Sequence, residues 1–222
     1  AHVRYKYESF KVLKFETLTE PTARHGSGSY SIVYGDIKSK LSPVRNECFE
    51  DVQMMHDTYT HTQNNNNDTS IVFDQLIQEG IIRVQIKNIQ GLLDIGIADQ
   101  SVIFGRNENP EAKGMENVVI YNSRGRIVHI GGKMIEGNRS FGPDDIITLE
   151  FNMNKDHHTL TFFINYSEQK NYISDLPSTV RFWCHLKDKG SSFEIISLAK
   201  LSEPVAEHKF LSSSKFKWGK KW

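Results

Sequence analysis

Short runs of β-branched and aromatic residues recur along most of this chain, each broken after a few positions by Gly, Asn, Asp or Pro. Punctuation at that interval leaves no room for long helices, and the chain reads as all-β. Strands are expected at residues 10–15, 30–34, 81–87, 92–98, 118–122, 126–130, 146–152, 159–165, 180–186 and 193–198. In residues 81–87 the apolar Ile82, Val84 and Ile86 alternate with Arg83, Gln85 and Lys87. An antiparallel strand with one buried face needs that period of two. Residues 159–165 differ, because Phe162, Phe163 and Ile164 are consecutive, as in a strand covered on both faces. Residues 154–158, between two such runs, read as a hairpin loop. Helical signals are sparse, and only residues 48–55 read as a short helical turn.

The 222 residues suit one large β-domain better than two small ones. The polar tract 60–68, with Asn64, Asn65, Asn66 and Asn67 in a row, buries too little apolar surface to offset its ordering entropy. It is expected as a mobile loop between an amino-terminal segment, 1–59, and a main block, 69–201. The first segment holds too few apolar strands for its own core and is expected to complete the sandwich of the second. Residues 202–222 form a basic, aromatic tail. Formal net charge is zero, so no global field draws the chain to nucleic acid or an acidic membrane. No apolar run is long enough to span a bilayer, and Ala1-His2-Val3-Arg4 has none of the parts of a signal peptide. Cys48 and Cys184 are the only cysteines, fewer than a small secreted scaffold usually carries. Free thiols and a cytoplasmic or nuclear location are expected. The Asn-X-Ser/Thr sequons at Asn67, Asn138 and Asn165 would be inert there.

From residue 69 onward, Ile71-Val72-Phe73, Gly80 and Ile82-Arg83-Val84-Gln85-Ile86, then Leu92–Ala98, Asn122–Gly132, Phe141–Asp145, Leu160–Asn165 and Val180–Trp183, stand in an order that resembles the SPRY family. The first three are similar to its opening, although the usual Tyr-Trp-Glu-Val is absent. Leu92-Leu93-Asp94-Ile95-Gly96-Ile97-Ala98 resembles the next strand, usually ending Val-Gly-Val-Ala. Asn122-Ser123-Arg124-Gly125-Arg126 and the following Ile127–Gly132 resemble the succeeding hairpin. Phe141-Gly142-Pro143-Asp144-Asp145, Leu160-Thr161-Phe162-Phe163-Ile164-Asn165 and Val180-Arg181-Phe182-Trp183 follow in the family order, the last closing through Lys189-Gly190 to Phe193-Glu194-Ile195. Ile135-Glu136-Gly137-Asn138, residues 149–154 and Leu176-Pro177 are similar to divergent protist members. Ile196-Ser197-Leu198 stands where the family has a terminal Asn-Phe-Gly. The resemblance implies a two-sheet antiparallel β-sandwich of the SPRY, concanavalin A-like jelly-roll type. It also implies an adaptor or recognition module without cofactors, whose edge loops bind a protein or short peptide.

Spacing offers little to catalysis or metal binding. His56 and His61 are separated by five positions, not the four of a helical zinc pair. In Asp156-His157-His158, neighbours on an extended chain point to opposite faces. Gly26-Ser27-Gly28-Ser29 lacks the Gly-Lys-Ser/Thr of a phosphate loop and the last glycine of Gly-x-Ser-x-Gly. Asp144 and Asp145 follow Gly142-Pro143 as turn residues do. No nucleophile, base and oxyanion donor assemble, so a non-enzyme with no metal is expected.

Binding candidates are clearer. Along 180–186, Val180, Phe182, Cys184 and Leu186 share one face, which leaves Arg181, Trp183 and His185 on the other. Trp and Arg are enriched at binding hot spots, so this second face is a candidate recognition surface, with burial under a neighbouring sheet or the tail as its alternative. Arg124 and Arg126, with Tyr121 and His129 beside them, lie in the hairpin that the resemblance places next to the partner surface. In the tail, Phe210, Phe216, Trp218 and Trp222 interleave with lysines. They either pack back on the sandwich with the lysines reaching water, or form a nucleic-acid or membrane-surface contact. A lectin-like carbohydrate-binding sandwich is the remaining reading, weakened by the lack of a compact acidic loop for calcium.

Overall fold

The structure is a computed structural model that describes residues 32–33, 41–209 and 213–222. The strand expected at 10–15 and the Gly26–Ser29 turn lie outside the described residues. So does most of 30–34, where Ile32–Val33 is strand β1. Numbered in chain order, the others are β2 (Val52–Met55), β3 (Thr58–His61), β4 (Thr69–Val72), β5 (Ile81–Gln90), β6 (Asp94–Asp99), β7 (Val118–Asn122), β8 (Ile127–Val128), β9 (Ile146–Asn152), β10 (Thr159–Ile164), β11 (Ser167–Glu168), β12 (Asn171–Ser174), β13 (Val180–Leu186), β14 (Ser192–Leu201) and β15 (Ser214–Lys217). The bounds of β7, β9 and β13 coincide with those read from the sequence.

These strands form two layers. The larger sheet runs β15-β12-β10-β9-β5-β14-β3-β2, with β1 also on β14 and β11 on β10. The smaller runs β4-β13-β6-β7-β8. Every strand pair is antiparallel except β12 with β15. The chain is a two-sheet, antiparallel-rich β-sandwich. The alternation of 81–87 holds: Val84 and Ile86 are buried in the core, while Arg83 turns outward toward Glu150. Opposite them stand Ile95, Ile97, Val119, Tyr121, Phe182 and Cys184 of the smaller sheet. Phe73 stacks on Phe182 at 4.4 Å between the layers. Each fully buried side chain of this size stabilises the fold by about 1.5–3 kcal/mol.

The expected helical turn is half right. Glu47–Asp51 is a 3₁₀ helix, capped by the Asn46 side chain accepting from Cys48 N–H, but Val52–Met55 is extended and pairs with β3. Four residues of an antiparallel ladder outweigh one more helical turn without a buried stripe. The Asn-rich tract, expected as a mobile loop, has specific partners instead. Asn65 and Asn67 donate to Asp51 at 2.6 and 2.9 Å, and the Asn66 side chain accepts from Lys189 N–H at 3.2 Å. Arg106 closes on the same carboxylate through Nε at 2.7 Å and Nη2 at 2.9 Å. This bidentate pairing holds Asp51 well below the usual carboxylate range. Composition could not reveal it, because Arg106 is 55 residues away in sequence.

The outer face of the larger sheet carries a strap. Val205 packs on Ile81, Ala199 and Leu201. Val205 N–H and Ala206 N–H both donate to Glu150 Oε1 at 2.9 Å, and Glu207 N–H and His208 N–H donate to the Glu168 carboxylate. Phe163 is buried on this face beneath the Arg83 guanidinium, 4.7 Å from the ring centre. Both faces of β10 are therefore covered, as its consecutive apolar residues require.

Candidate interaction surface

The alternation on β13 places Trp183 on the outer side of the smaller sheet, but that side is not a surface. Trp183 is 0 % exposed and belongs to a second core with Val72, Ala98, Val102, Phe104, Val118, Ile120 and Val128. The connection between β6 and β7 lies over the sheet and brings Phe104 edge-on to the indole at 5.4 Å. Gly96 shows how closely the ring is fitted. A Cβ there would stand 2.8 Å from the indole and 1.9 Å from Val119 O. The glycine of the Ile95-Gly96-Ile97-Ala98 motif is thus required by Trp183 and the neighbouring strand. The expectation that Trp183 contacts a partner is corrected: a side chain sealed beneath a loop has no area to offer.

His185 is also buried, at 2 % exposure. Its Nδ1 faces Asp94 at 2.7 Å and its Nε2 faces Asp68 at 3.1 Å, while Lys187 reaches Asp68 at 3.1 Å. Burial alone would lower its pKa, but the two carboxylates outweigh burial and raise it. An imidazolium donating to both carboxylates ties β13 to β6 and to the end of the Asn-rich tract. Arg181 is half-buried and donates to Gln100 O at 3.0 Å, which anchors the covering loop.

The hairpin divides in the same way. Tyr121 points into the main core, 4.7 Å from Phe162, with its hydroxyl donating to Arg139 O at 2.6 Å. His129 is 0 % exposed. Its Nδ1 is 2.7 Å from Val118 O, which can only accept, so Nδ1 carries the proton. Nε2 then accepts Gly219 N–H at 2.9 Å from the tail. Burial pushes its pKa down, in keeping with a neutral ring. Trp218 and Trp222 lie 4.9 and 5.0 Å from this imidazole, and β15 pairs alongside β12. Phe216, Trp218 and Trp222 pack against the core, so the tail folds back while Lys220 and Lys221 stay exposed. Neither Tyr121 nor His129 can reach a partner, since each is enclosed.

Arg124 and Arg126 remain, at the tip of the β7–β8 hairpin. Asn122 shapes this turn by accepting Arg124 N–H and Arg126 N–H at 3.1 and 3.0 Å. Gly125 has φ +79°, and a Cβ there would meet Asn138 O at 2.4 Å, so the tip is pressed against the loop after β8. That loop is held by Arg139 N–H on Gln169 at 2.7 Å and by Asn171 on Asn138 and Glu136. Arg124 is exposed, and Arg126 pairs with Glu136 at 3.0 Å. Beside them project Met134, 51 % exposed, and Arg139, whose side chain is 57 % exposed. Sequence reading missed Lys133, Met134 and Arg139. Their signal was a run of basic and apolar residues around Gly131-Gly132 and Gly137, where turn glycines argue for display on a loop.

The other candidates are structural. His61 is buried with its ring between Thr62 O and Asn67 O, and Asp145 accepts Gly142 N–H at 2.8 Å within its turn. Asn67 and Asn165 spend their side-chain amides on Asp51 and Asp145, whereas Asn138 accepts Asn171 N–H through its carbonyl and its buried amide nitrogen has no partner among the described residues. Among the described residues there is no group of three His, Cys, Asp or Glu side chains placed to hold a metal ion. Cys48 and Cys184 are free and buried, and burial pushes the Cys48 thiol up to about 11. No helix among the described residues is long and apolar enough to cross a membrane.

Comparison with known folds agrees with this architecture. The SPRY domain of human HERC1 aligns over 70% of this chain and 98% of its own, with a TM-score of 0.50 and 15% identity. A further human SPRY domain aligns over 70% and 98%, at 0.52 and 12%. The TRIM65 PSpry domain covers 71% of this chain and 92% of its own, at 0.51 and 7%. The chain has a divergent SPRY-type fold. No family profile matches the sequence, and no curated protein matches it.

Proposed function

We propose that this protein is a non-catalytic protein- or peptide-binding module whose contact surface is the rim formed by the β7–β8 hairpin tip and residues 130–139. The fold supports the first part, because SPRY domains are in general protein-interaction modules. The carrying observation for the second is that Arg124 and Arg126 are the hairpin residues left accessible, on a tip braced by Asn122, Gly125 and the Asn138 carbonyl. A contact presented on a braced turn loses little freedom on binding, which favours recognition. The nucleic-acid reading of the tail has less support, since Phe216, Trp218 and Trp222 are engaged with His129 and the core rather than offered for stacking, Phe210 lying outside the described residues.

The reading is tested by placing a photo-crosslinking residue at Arg124 and, separately, at Lys155 beyond the far end of β9. A discrete crosslinked partner in native extract is expected from position 124 and not from 155. Capture through position 155 alone would move the contact to the opposite end of the sandwich.

A further inference from the structure

Charge pairing is uneven over this molecule. Away from the rim, most basic side chains have acidic partners at close range, as with Lys113 on Glu108 at 2.6 Å and Lys187 on Asp68 at 3.1 Å, while Lys155, Lys189 and Lys215 are exposed without an ion pair among the described residues. On the rim the unpaired cations are neighbours. Among the described residues, Arg124, Lys133, Lys170, Lys220 and Lys221 are exposed and have no ion-pair partner, and Arg139 approaches Asp145 only at 4.0 Å. Glu136, paired with Arg126, is the acidic residue among them.

The fold, rather than the sequence, brings these cations together. Gly131 lies under the Lys221 stem, so that a Cβ there would be 2.9 Å from Lys221 Cε, and the same construction at Gly137 meets Lys170 Cδ at 3.7 Å. Gly125 abuts the Arg139 backbone. Residues 124–139, 170 and 220–221 therefore share one face of a chain whose formal net charge is zero. Within a Debye length of about 8 Å at physiological salt, neighbouring like charges repel, and an acidic ligand relieves that repulsion. Met134 adds an apolar contact beside Arg126, whose Nη1 sits 3.6 Å from its Sδ.

We infer that this rim recognises an acidic peptide segment, rich in Asp and Glu and carrying an apolar side chain to cover Met134. The inference rests on the proposed rim and specifies the chemistry of its partner. A peptide suits the site better than a nucleic acid because the tail aromatics beside the lysines are packed inward. Without stacking faces, a phosphate backbone would meet only point charges.

The test is fluorescence anisotropy of the whole chain with a labelled Glu-rich peptide containing one leucine, its Gln-for-Glu counterpart, and a single-stranded oligonucleotide. The acidic peptide is expected to bind about tenfold or more tighter than the Gln form at low salt, an advantage that shrinks as ionic strength rises. Arg124→Glu combined with Lys133→Glu should weaken it about tenfold with an unchanged circular dichroism spectrum, whereas Lys155→Glu should not. Equal binding of both peptides, or binding indifferent to the double reversal, would overturn the inference. Tighter binding of the oligonucleotide through the same residues would overturn it too and assign the face to nucleic acid. If a partner crosslinks through position 124 and the acidic peptide fails to compete, the rim stands and its charge preference falls. Absence of any crosslink at 124 brings down the rim itself.

Discussion

Trp183→Ala separates a core tryptophan from a recognition tryptophan. The ring is 0 % exposed, walled by Val72, Ala98, Phe104, Val118 and Ile120, and laid over Gly96. Truncation removes its buried area and leaves a void that the strand backbone beneath it cannot close. Substitutions of this kind cost about 3–5 kcal/mol, and a site bounded by sheet on one side collapses poorly. Taking about 4 kcal/mol, and about 2–4 °C per kcal/mol for a chain of this size, the melting temperature should fall by about 8–16 °C. Urea unfolding followed by far-ultraviolet circular dichroism reads the difference directly, with an unchanged slope expected. Trp183→Phe supplies the control. It keeps most of the ring and removes the indole N–H, which has no hydrogen-bond partner among the described residues, so its cost should be well below that of the alanine variant. A loss under about 1 kcal/mol for Trp183→Ala would refute burial and return the residue to the surface.

Other tests address the polar clasps. Asp51→Asn should cost about 3 kcal/mol in urea unfolding, because it breaks the bidentate Arg106 contact at a carboxylate only 1 % exposed. His185→Gln should cost about 2–3 kcal/mol by removing the cation between Asp68 and Asp94, with Lys187 left on Asp68 alone. Two of the buried histidines, His129 and His185, respond to pH in opposite directions. His129 has a lowered pKa, so its contribution is present above the ordinary value of 6.5 and is lost as pH falls from there through its folded pKa. His185 has a raised pKa, so its contribution is present below 6.5 and is lost as pH rises through its folded value. Imidazole NMR titration should show one midpoint on each side of 6.5. Both midpoints at 6.5 would contradict the enclosure of these rings.

Much of the fold was legible because it rests on local alternation. The bounds of β9 and β13 follow from apolar residues spaced by two, and those of β7 from a continuous apolar run ended by Asn122. The division of β13 into a Phe182-Cys184 face and a Trp183 face was also correct in register. What alternation cannot show is whether the second face is wet. That depended on the β6–β7 connection lying over the sheet, with Phe104 79 positions from Trp183 (183 minus 104). The same reason hid the roles of Tyr121 and His129, which are enclosed by Phe162 and by the tail. Asn65 and Asn67 misled for a related cause: composition reads them as solvated, whereas a buried carboxylate 14 and 16 positions earlier uses both amides. Arg124 and Arg126 were legible as a turn pair, and their neighbour Arg139 became visible once Gly125 was seen to press on Asn138 O.

Amide hydrogen exchange, on the chain alone and with the partner captured through position 124, bears most directly on where this sandwich makes its contact. Slowed exchange is expected at residues 122–126 and 130–139, with β13 and the loop over Trp183 unchanged. Protection centred on β13 and residues 100–117, with the hairpin tip unaffected, would show that the covered tryptophan face opens to bind and that the rim does not.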